Sequence, residues 1–207
     1  MARAKFSTSP SALNAIFREA IPLFAQSGFE GVSMRHVAKA VGVSIATLYY
    51  HFPDKQTLYL RCIEEAFANK AQGLSEILAV PGTPEQQLQQ FIYRFTDLMA
   101  SDSHFRRLLQ RELLDGDETR LRVLAKDVFQ TQFQGITELA KTLAPNCDAH
   151  LMAISMVALV LFHLETTPIR QFLPGGRAEH NESELIAKHV TQLLLKGILQ
   201  CGNDYFF

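Results

Sequence analysis

The sequence predicts an all-α fold of about nine helices. Apolar residues recur about every three to four positions along nearly the whole chain, which is the period of an amphipathic helix. No stretch alternates apolar and polar residues for long enough to predict a strand. Pro and Gly clusters, as at 81–84 and 174–176, divide the helical pattern into separate segments.

The composition is that of an ordinary folded protein and argues against several other classes. Of 207 residues, 47% are hydrophobic and 20% are charged, whereas disordered chains are poorer in apolar residues. The start, MARAKFSTS, contains no apolar run, so we expect no secretory signal. The most apolar stretch, 151–164, is shorter than the roughly 20 residues of a membrane span, so we expect no membrane segment. Three scattered cysteines without CxxC spacing predict free thiols in a reducing cytoplasm, with no metal site and no cofactor.

The first predicted helix covers about 10–26. We expect Gly28 to end it, because glycine readily takes the conformation that closes a helix. Pro22 is expected to kink it, because proline removes a backbone hydrogen bond from the helix interior.

Two short helices follow, joined by a glycine turn. Ser33 is expected to cap a helix over 34–40 and Ser44 a helix over 45–52, since serine accepts from the free N–H groups of a first turn. Gly42 lies between them and can take the left-handed conformation that a Cβ disfavours. This is the pattern of a helix-turn-helix, although helix pairs with glycine turns also occur in enzymes.

The rest of the chain predicts longer helices of an α-helical bundle. Each has an apolar face at helical spacing, and the cluster at 81–84 separates the first from the second. They cover 54–79, two apolar stripes within 84–113 that each predict a helix, 119–143, 149–166 and about 182–200.

The charge is unevenly distributed along the chain. Residues 1–61 hold seven Lys and Arg against three acids, whereas 62–207 hold 13 against 18. A basic head on an acidic body predicts that the head meets a polyanion, although ordinary solvated faces can differ by as much.

The second short helix has a polar and aromatic outward face. Ser, Thr, Tyr and His side chains donate to phosphate oxygens, and a small alanine lets a helix approach base edges. Lys55 follows at the start of the next helix, where anions are already favoured. Alternatively, Tyr49 and Tyr50 cover the core, as Phe52 is expected to do. The outward face comprises Ser44, Ala46, Thr47, Tyr49, Tyr50 and His51.

Residues 28–67, GFEGVSMRHVAKAVGVSIATLYYHFPDKQTLYLRCIEEAF, resemble the DNA-binding region of the TetR family of bacterial transcriptional regulators. The family marks are LYYHF with a following lysine and the GVS turn before it, and the likeness extends over about 8–70. Two positions depart from the family: Ile45, where a basic residue is common, and Pro22, in a helix that is usually regular. The resemblance implies base or groove contacts from Ala46, Thr47 and Tyr49, a place near the DNA backbone for Arg35, and phosphate contacts from Ser33, Ser44, Tyr50, His51 and Lys55.

The resemblance also implies a DNA-binding domain over 1–53 and a helical effector-binding and dimerisation domain over 54–207. Its partners would be a double-stranded inverted-repeat operator, a small-molecule effector and a second copy of the chain. The helices at 149–166 and about 182–200 are apolar enough to form the homodimer, and Ala153, Ser155 and Ala158 allow close helix approach. Alternatively, 151–164 is the core helix of a monomer.

The abundance of phenylalanine predicts an apolar interior that could hold the effector. Each of these rings could instead be ordinary core, and His163 a satisfied core residue. Arg107 and Arg111 could clamp an anion, or pair with the acids at 112, 115 and 117. The candidate ligand residues are Phe91, Phe95, Met99, Phe105, Phe129, Phe133 and Phe162, with His104, Arg107, Gln110, Arg111 and His163 as polar groups.

The sequence therefore predicts a ligand-responsive DNA-binding regulator, a repressor that releases its operator when an apolar or amphipathic molecule binds. A transcriptional activator of the same family is the alternative. An all-helical enzyme or binding protein is disfavoured, because no GxSxG, HExxH, P-loop or dinucleotide fingerprint occurs in the chain.

Overall fold

The computed structural model describes the backbone of residues 10–78 and 81–200 and the side chains of 12–67, 76 and 81–197. Over these residues the backbone forms helices and turns without any strand, which confirms the predicted all-α class. No helix within these ranges has both the length and the apolar character that crossing a membrane demands. The α-helices are α1 (Pro10–Gly31), α2 (Met34–Val41), α3 (Ile45–His51), α4 (Lys55–Leu78), α5 (Pro84–Ser101), α6 (Ser103–Asp115), α7 (Glu118–Val123), α8 (Gln130–Leu143), α9 (Ala149–Glu165), α10 (Thr167–Arg170) and α11 (Ser183–Gln200).

One long predicted segment is divided in the structure. The segment 119–143 becomes α7 and α8, separated by a π-helical turn at Leu124–Phe129. This division does not change the apolar period, which is why the sequence did not reveal it. The two apolar stripes predicted within 84–113 are the helices α5 and α6, which are separate because the backbone turns extended at Asp102 (φ −132°, ψ 90°). A short 3₁₀ helix, Ala178–Asn181, precedes α11.

Several helix starts are capped by side chains that accept from backbone N–H groups of the first turn. Asp148 accepts from the backbone N–H of Leu151 at 2.9 Å, and Asp54 accepts from that of Thr57 at 2.7 Å. The latter bond lowers the pKa of the Asp54 carboxyl, because it stabilises the charged form. At α5, Thr83 and Gln86 form a reciprocal capping box.

The chain divides into two compact units. Unit 1 comprises Met1–Asn69 and Ser103–Val128, and unit 2 comprises Lys70–Asp102 and Phe129–Phe207. The helix-turn-helix segment lies in unit 1, which also contains α6, α7 and the first part of α4. The functional boundary expected at residues 53 and 54 stays a prediction.

Unit 1 has an aromatic core built around α1. Phe24 packs edge-on against Tyr59 of α4, with ring centroids 4.8 Å apart. Phe17 packs in the same way against Phe52, at 5.8 Å, which joins α1 to the end of α3. Phe52 is buried, as predicted.

The end of α1 departs from the regular helix at Gly28, not at Pro22. Gly28 has φ 70° and ψ 179°, whereas Pro22 lies within the helix. Arg111 of α6 binds carbonyls of the turn just before this kink: its Nε donates to the carbonyl of Ala25 at 3.1 Å, and its Nη2 to that of Gln26 at 2.6 Å.

A carboxylate lies at the centre of unit 1. Glu112 is fully buried. It accepts from the Tyr59 hydroxyl at 2.6 Å and from Nε of Arg120 at 2.9 Å. Arg120 also pairs with Asp115 at 3.4 Å and Asp117 at 3.7 Å. Burial and the bond to Glu112 raise the pKa of Tyr59, so this hydroxyl remains a donor. The network joins α4, α6 and α7.

Unit 2 is a bundle of α5, α8, α9 and α11 around an apolar interior. In α5 the rings of Phe91 and Phe95 stack with centroids 5.5 Å apart. The buried stripe of α9 is Ala153, Met156, Val160 and Leu164, and that of α11 is Ile186, Ala187, Val190 and Leu194.

The buried carboxylate leads to a stability prediction. Replacing Arg120 by Met leaves Glu112 without its counter-ion, so we expect the free energy of unfolding to fall by about 3–5 kcal/mol. The matched control is Arg122→Met on the same helix, because Arg122 pairs with Glu118 in solvent. We expect that change to cost less than about 0.5 kcal/mol. Urea unfolding followed by circular dichroism measures both, and equal losses would contradict this account of the network.

Candidate nucleic-acid interface

The candidate interface is built on α2, α3 and the turn between them. Gly42 adopts φ 79° and ψ 26°, the predicted left-handed conformation, and its N–H is bonded to the carbonyls of Ala38 and Lys39. Ala38 is buried, as a close approach of two helices requires. Leu48 of α3 is also fully buried and packs this short helix against the core of unit 1. Its position determines which side of α3 is turned outward.

The predicted outward face of α3 is solvent-accessible. Tyr50 is 76% exposed and Tyr49 is 47% exposed, so neither ring covers the core, and the alternative interpretation of these residues is wrong. Ala46 is exposed, and Ser44, Thr47 and His51 are partly buried. The structure thus brings all six residues of this face together on one short helix.

The serine and threonine hydroxyls of this region already have structural roles. The Ser33 oxygen accepts from the N–H of His36 at 3.1 Å, and the Ser44 oxygen accepts from that of Thr47 at 3.0 Å. The Ser44 and Thr47 hydroxyls are also hydrogen-bonded to each other, at 2.7 Å. A hydroxyl oxygen that accepts in this way keeps a proton that it can donate to a phosphate. Capping and phosphate contact are therefore compatible.

The basic side chains of the candidate interface differ in how they are held. Arg35 is exposed on α2. Lys55, at the start of α4, folds back onto the end of α1 and donates to the carbonyl of Phe29 at 3.0 Å. Its Nζ lies 4.1 Å from the centroid of the Phe29 ring and 3.7 Å from the Glu30 carboxylate. The sequence did not indicate these contacts, because Phe29 lies 26 residues before Lys55.

The predicted ligand residues do not form one group in the structure. His104, Phe105, Arg107, Gln110 and Arg111 belong to unit 1. The remaining seven belong to unit 2, where Phe91, Phe95 and Met99 are buried in α5. In the same unit Phe129, Phe133 and His163 are partly buried and Phe162 is exposed.

Two of these predictions need correction. Arg111 does not offer a clamp for an anion, and it does not pair with the acids of α6, because its guanidinium binds the carbonyls of Ala25 and Gln26. Phe162 does not line an interior, because its side chain is 71% exposed on the side of α9 opposite the buried stripe. Phe105 is core in unit 1, where its ring meets that of Phe67 at 3.8 Å. Arg107 and Gln110 lie on the exposed side of α6.

His163 lies in a polar cluster between α9 and α11. Its ring meets that of His189 edge-on, at a centroid distance of 5.4 Å. Partial burial, with His189 and Arg170 nearby, lowers the pKa of His163, because each disfavours the charged imidazolium. Within the ranges whose side chains are placed, no cluster of three or more His, Cys, Asp or Glu could hold a metal ion.

Sequence reasoning missed two residues of unit 1 that organise this region. Glu112 falls on the buried stripe of α6 with Phe105 and Leu108. A lone charge at an apolar position of the helical period was the signal that could have revealed it. Phe29 carried no such signal, because an aromatic residue after a glycine reads as ordinary core.

Comparison with known proteins identifies the N-terminal region. Residues 16–62 match the family described as bacterial regulatory proteins, tetR family. A relative is the biofilm operon icaADBC HTH-type negative transcriptional regulator IcaR of Staphylococcus epidermidis, which is 35% identical over 52 residues. That match covers 25% of this chain and 28% of the relative, so the likeness of sequence spans under a third of the curated relative's length.

Solved structures share the fold over most of the chain. AibR, in complex with isovaleryl coenzyme A and operator DNA, superposes with a TM-score of 0.69 and 21% identity, covering 88% of this chain and 97% of AibR. The transcriptional regulator FadR from Bacillus subtilis, in complex with stearoyl-CoA, superposes with a TM-score of 0.72 and 16% identity, covering 89% and 98%. Identities this low show a shared fold. The match over residues 16–62 shows in addition that this N-terminal region is similar to the tetR family of bacterial regulatory proteins.

Proposed function

We propose that the protein is a ligand-responsive transcriptional repressor that binds an inverted-repeat operator and releases it when a small amphipathic molecule binds. The observation that carries the DNA-binding part is the outward face of α3, which is exposed while Leu48 and Gly42 hold the helix in a helix-turn-helix. The family consists of regulators, which supports a regulatory role over a catalytic one. A transcriptional activator would use the same DNA-binding surface, and a promoter–reporter assay distinguishes the two.

We propose that two copies of the chain form the DNA-binding species through α9 and α11. α9 is apolar on two sides: besides its buried stripe it carries an exposed one. This outer stripe repeats at helical spacing and consists of Leu151, Ile154, Ser155, Ala158 and Phe162. Leu185 and Leu193 of α11 are exposed as well. Ala153, in contrast, lies in the core and is not available for contact with a second copy.

A dimer also fits the DNA-binding role that is proposed for α3. One short recognition helix reads few base pairs, and helix-turn-helix proteins bind paired half-sites as two-fold dimers. An apolar stripe on a helix at the surface favours a contact with another apolar surface. Both arguments support a second copy of this chain as the partner of the outer stripe.

The effector is proposed to be an amphipathic molecule, with acyl-coenzyme A thioesters as the first class to test. Two proteins of the same fold are described in complex with isovaleryl coenzyme A and with stearoyl-CoA. Unit 2 has the aromatic composition that an acyl chain requires, with Phe91 and Phe95 in α5 and Phe129 and Phe133 near the start of α8. α4 begins at Lys55 in unit 1 and ends at Leu78 in unit 2, so it links the two in the chain.

The DNA-binding proposal is tested by two changes on α3. Tyr50→Phe removes a hydroxyl expected to donate to a phosphate, so affinity should fall about tenfold for all sequences alike, because hydrogen bonds to charged groups contribute about 1.5 kcal/mol or more. Thr47→Ala should instead change the preference among bases. Retention of genomic fragments identifies the operator, and fluorescence anisotropy measures each affinity.

The control for these changes is Tyr93→Phe, which removes the hydroxyl of an exposed tyrosine in unit 2. Its affinity should equal that of the wild type. If no duplex is retained by the wild type even at low salt, the proposal that α3 reads DNA is wrong.

The dimer proposal is tested by Ala158→Arg. This change places a charge in the outer stripe, and a buried unpaired charge is unfavourable, so we expect monomers and loss of operator binding. Ala100→Arg is the control, since Ala100 is an exposed alanine on α5 of the same unit. Light scattering gives the mass of each variant. A soluble Ala158→Arg variant with the mass of the wild type, still bound to operator, would place the interface elsewhere.

The effector proposal is tested by titrating acyl-coenzyme A thioesters into the protein–operator complex. Release requires tighter binding to the DNA-free state, and a coupling free energy of about 1.4 kcal/mol already changes operator affinity tenfold. Phe129→Ala should raise the concentration needed for release, whereas Phe172→Ala, which truncates an exposed ring, should not. Thioesters that raise the melting temperature without changing operator affinity at saturation would contradict the coupling.

A further inference from the structure

The ring of Phe29 lies against two cations from different parts of unit 1. Nζ of Lys55 is 4.1 Å from its centroid, and Cζ of Arg120 is 4.7 Å from it. Both distances are within the range of about 6 Å at which a cation is attracted to an aromatic face. Lys55 comes from the start of α4, four residues after the end of α3, and Arg120 comes from α7. One ring therefore connects a cation beside the recognition helix to the buried network of Glu112.

The Arg120 side of this contact is firmly held. Arg120 is fixed by the fully buried Glu112 and by two further carboxylates, as described above. The Phe29 ring also lies 5.1 Å from that of Tyr59, whose hydroxyl binds the same Glu112. The position of the ring is thus determined by residues that are themselves buried and hydrogen-bonded.

The Lys55 side of the contact is open to one further partner. An ammonium group has three donors. One donates to the Phe29 carbonyl at 3.0 Å, and Nζ lies over the ring, while the Lys55 side chain is 26% exposed. The remaining contact is an ion pair of 3.7 Å with Glu30, whose side chain is 89% exposed.

These three contacts differ in strength. An exposed ion pair is worth little, so exchanging the Glu30 carboxylate for a DNA phosphate costs little. The carbonyl and the ring, in contrast, belong to the packed part of unit 1 around Tyr59 and Arg120. A phosphate that approaches Lys55 can therefore replace the Glu30 carboxylate without disturbing the other two contacts.

We propose that Phe29 is a positioning residue that orients Lys55 toward a DNA phosphate, and that Glu30 is the internal counter-ion which the phosphate displaces. The inference rests on the proposed DNA-binding function and adds two residues to it. Phe29 lowers the cost of ordering the long lysine side chain on binding. Glu30 competes with DNA for the same ammonium, so it weakens binding.

Removing the Phe29 ring and removing the Glu30 charge are expected to change operator affinity in opposite directions. Phe29→Leu keeps an apolar side chain but removes the aromatic face, so operator affinity should fall about two- to five-fold, the range of an exposed cation–π contact. Phe29→Tyr keeps the face and should bind like the wild type. Glu30→Gln removes the competing charge and should raise affinity by up to about five-fold at low salt, the range of an exposed ion pair.

A double-mutant cycle with Lys55→Met separates these roles from general effects. Lys55→Met keeps the side-chain stem and removes the charge, so it should weaken binding and reduce the salt dependence by about one phosphate contact. In that background, Phe29→Leu and Glu30→Gln should each leave operator affinity unchanged. Glu19→Gln is the matched control, because it makes the same charge change on α1 in another exposed ion pair, with Arg18. Its affinity should equal that of the wild type.

Each alternative outcome has a distinct meaning. If Phe29→Leu weakens binding equally with and without Lys55, its role is only structural, and the positioning role is overturned. If Glu30→Gln strengthens binding equally in both backgrounds, Glu30 repels DNA in general and is not a counter-ion of Lys55. A wild type that binds no duplex overturns the proposed function and this inference with it, whereas additive effects in a wild type that binds its operator overturn the inference alone.

Discussion

The buried carboxylate of Glu112 is the interaction on which the organisation of unit 1 depends. A charge with no exposure to solvent is unfavourable unless it is paired and hydrogen-bonded, and here Tyr59 and Arg120 satisfy it. These partners come from α4 and α7, whereas Glu112 lies on α6. The requirement to compensate this one charge therefore brings three helices together. Through Arg120 the same requirement places a guanidinium against Phe29 at the end of α1. The network therefore extends from the core of unit 1 to the residues next to α3.

The helix α3, which carries the outward face of the candidate interface, has little stability of its own. α3 has seven residues, and isolated helices of fewer than about 12 residues are marginal in water. It persists because Ser44 caps its first turn and Leu48 is buried against the core. This division of roles leaves the exposed side chains Ala46, Tyr49 and Tyr50 of α3 available to meet a ligand. A small domain can in this way present tyrosines to solvent without losing its fold.

Unit 2 raises a different problem, because α9 has no polar face. Its buried stripe packs against the bundle, and among the residues whose side chains are placed its outer stripe is exposed. For most helices the polar side shows which direction solvent lies, but a helix that is apolar all round is expected to be buried all round. The structure shows that one chain buries only half of it. The exposed half accounts for the proposal of a second copy, and it explains why Phe162 was wrongly assigned to the interior.

The sequence by itself determined the features that depend on residues close together in the chain. The helical period predicted the all-α class, and the capping roles of Ser33 and Ser44 followed from bonds that reach only three residues. The left-handed turn at Gly42 was predictable for the same reason.

Only the tertiary structure decided the contacts between distant segments. Arg111 binds carbonyls 85 and 86 residues away, and Tyr59 reaches Glu112 across 53 residues. Neither the period of a helix nor a local motif specifies such a partner, because it depends on how whole helices pack. The same holds for α9, whose uniform apolar character could not indicate which stripe turns inward. Lys55 illustrates both the local and the tertiary contribution. Its place at the start of a helix was predictable from the sequence, whereas its contact with Phe29 was set by the packing of α1 beside α4.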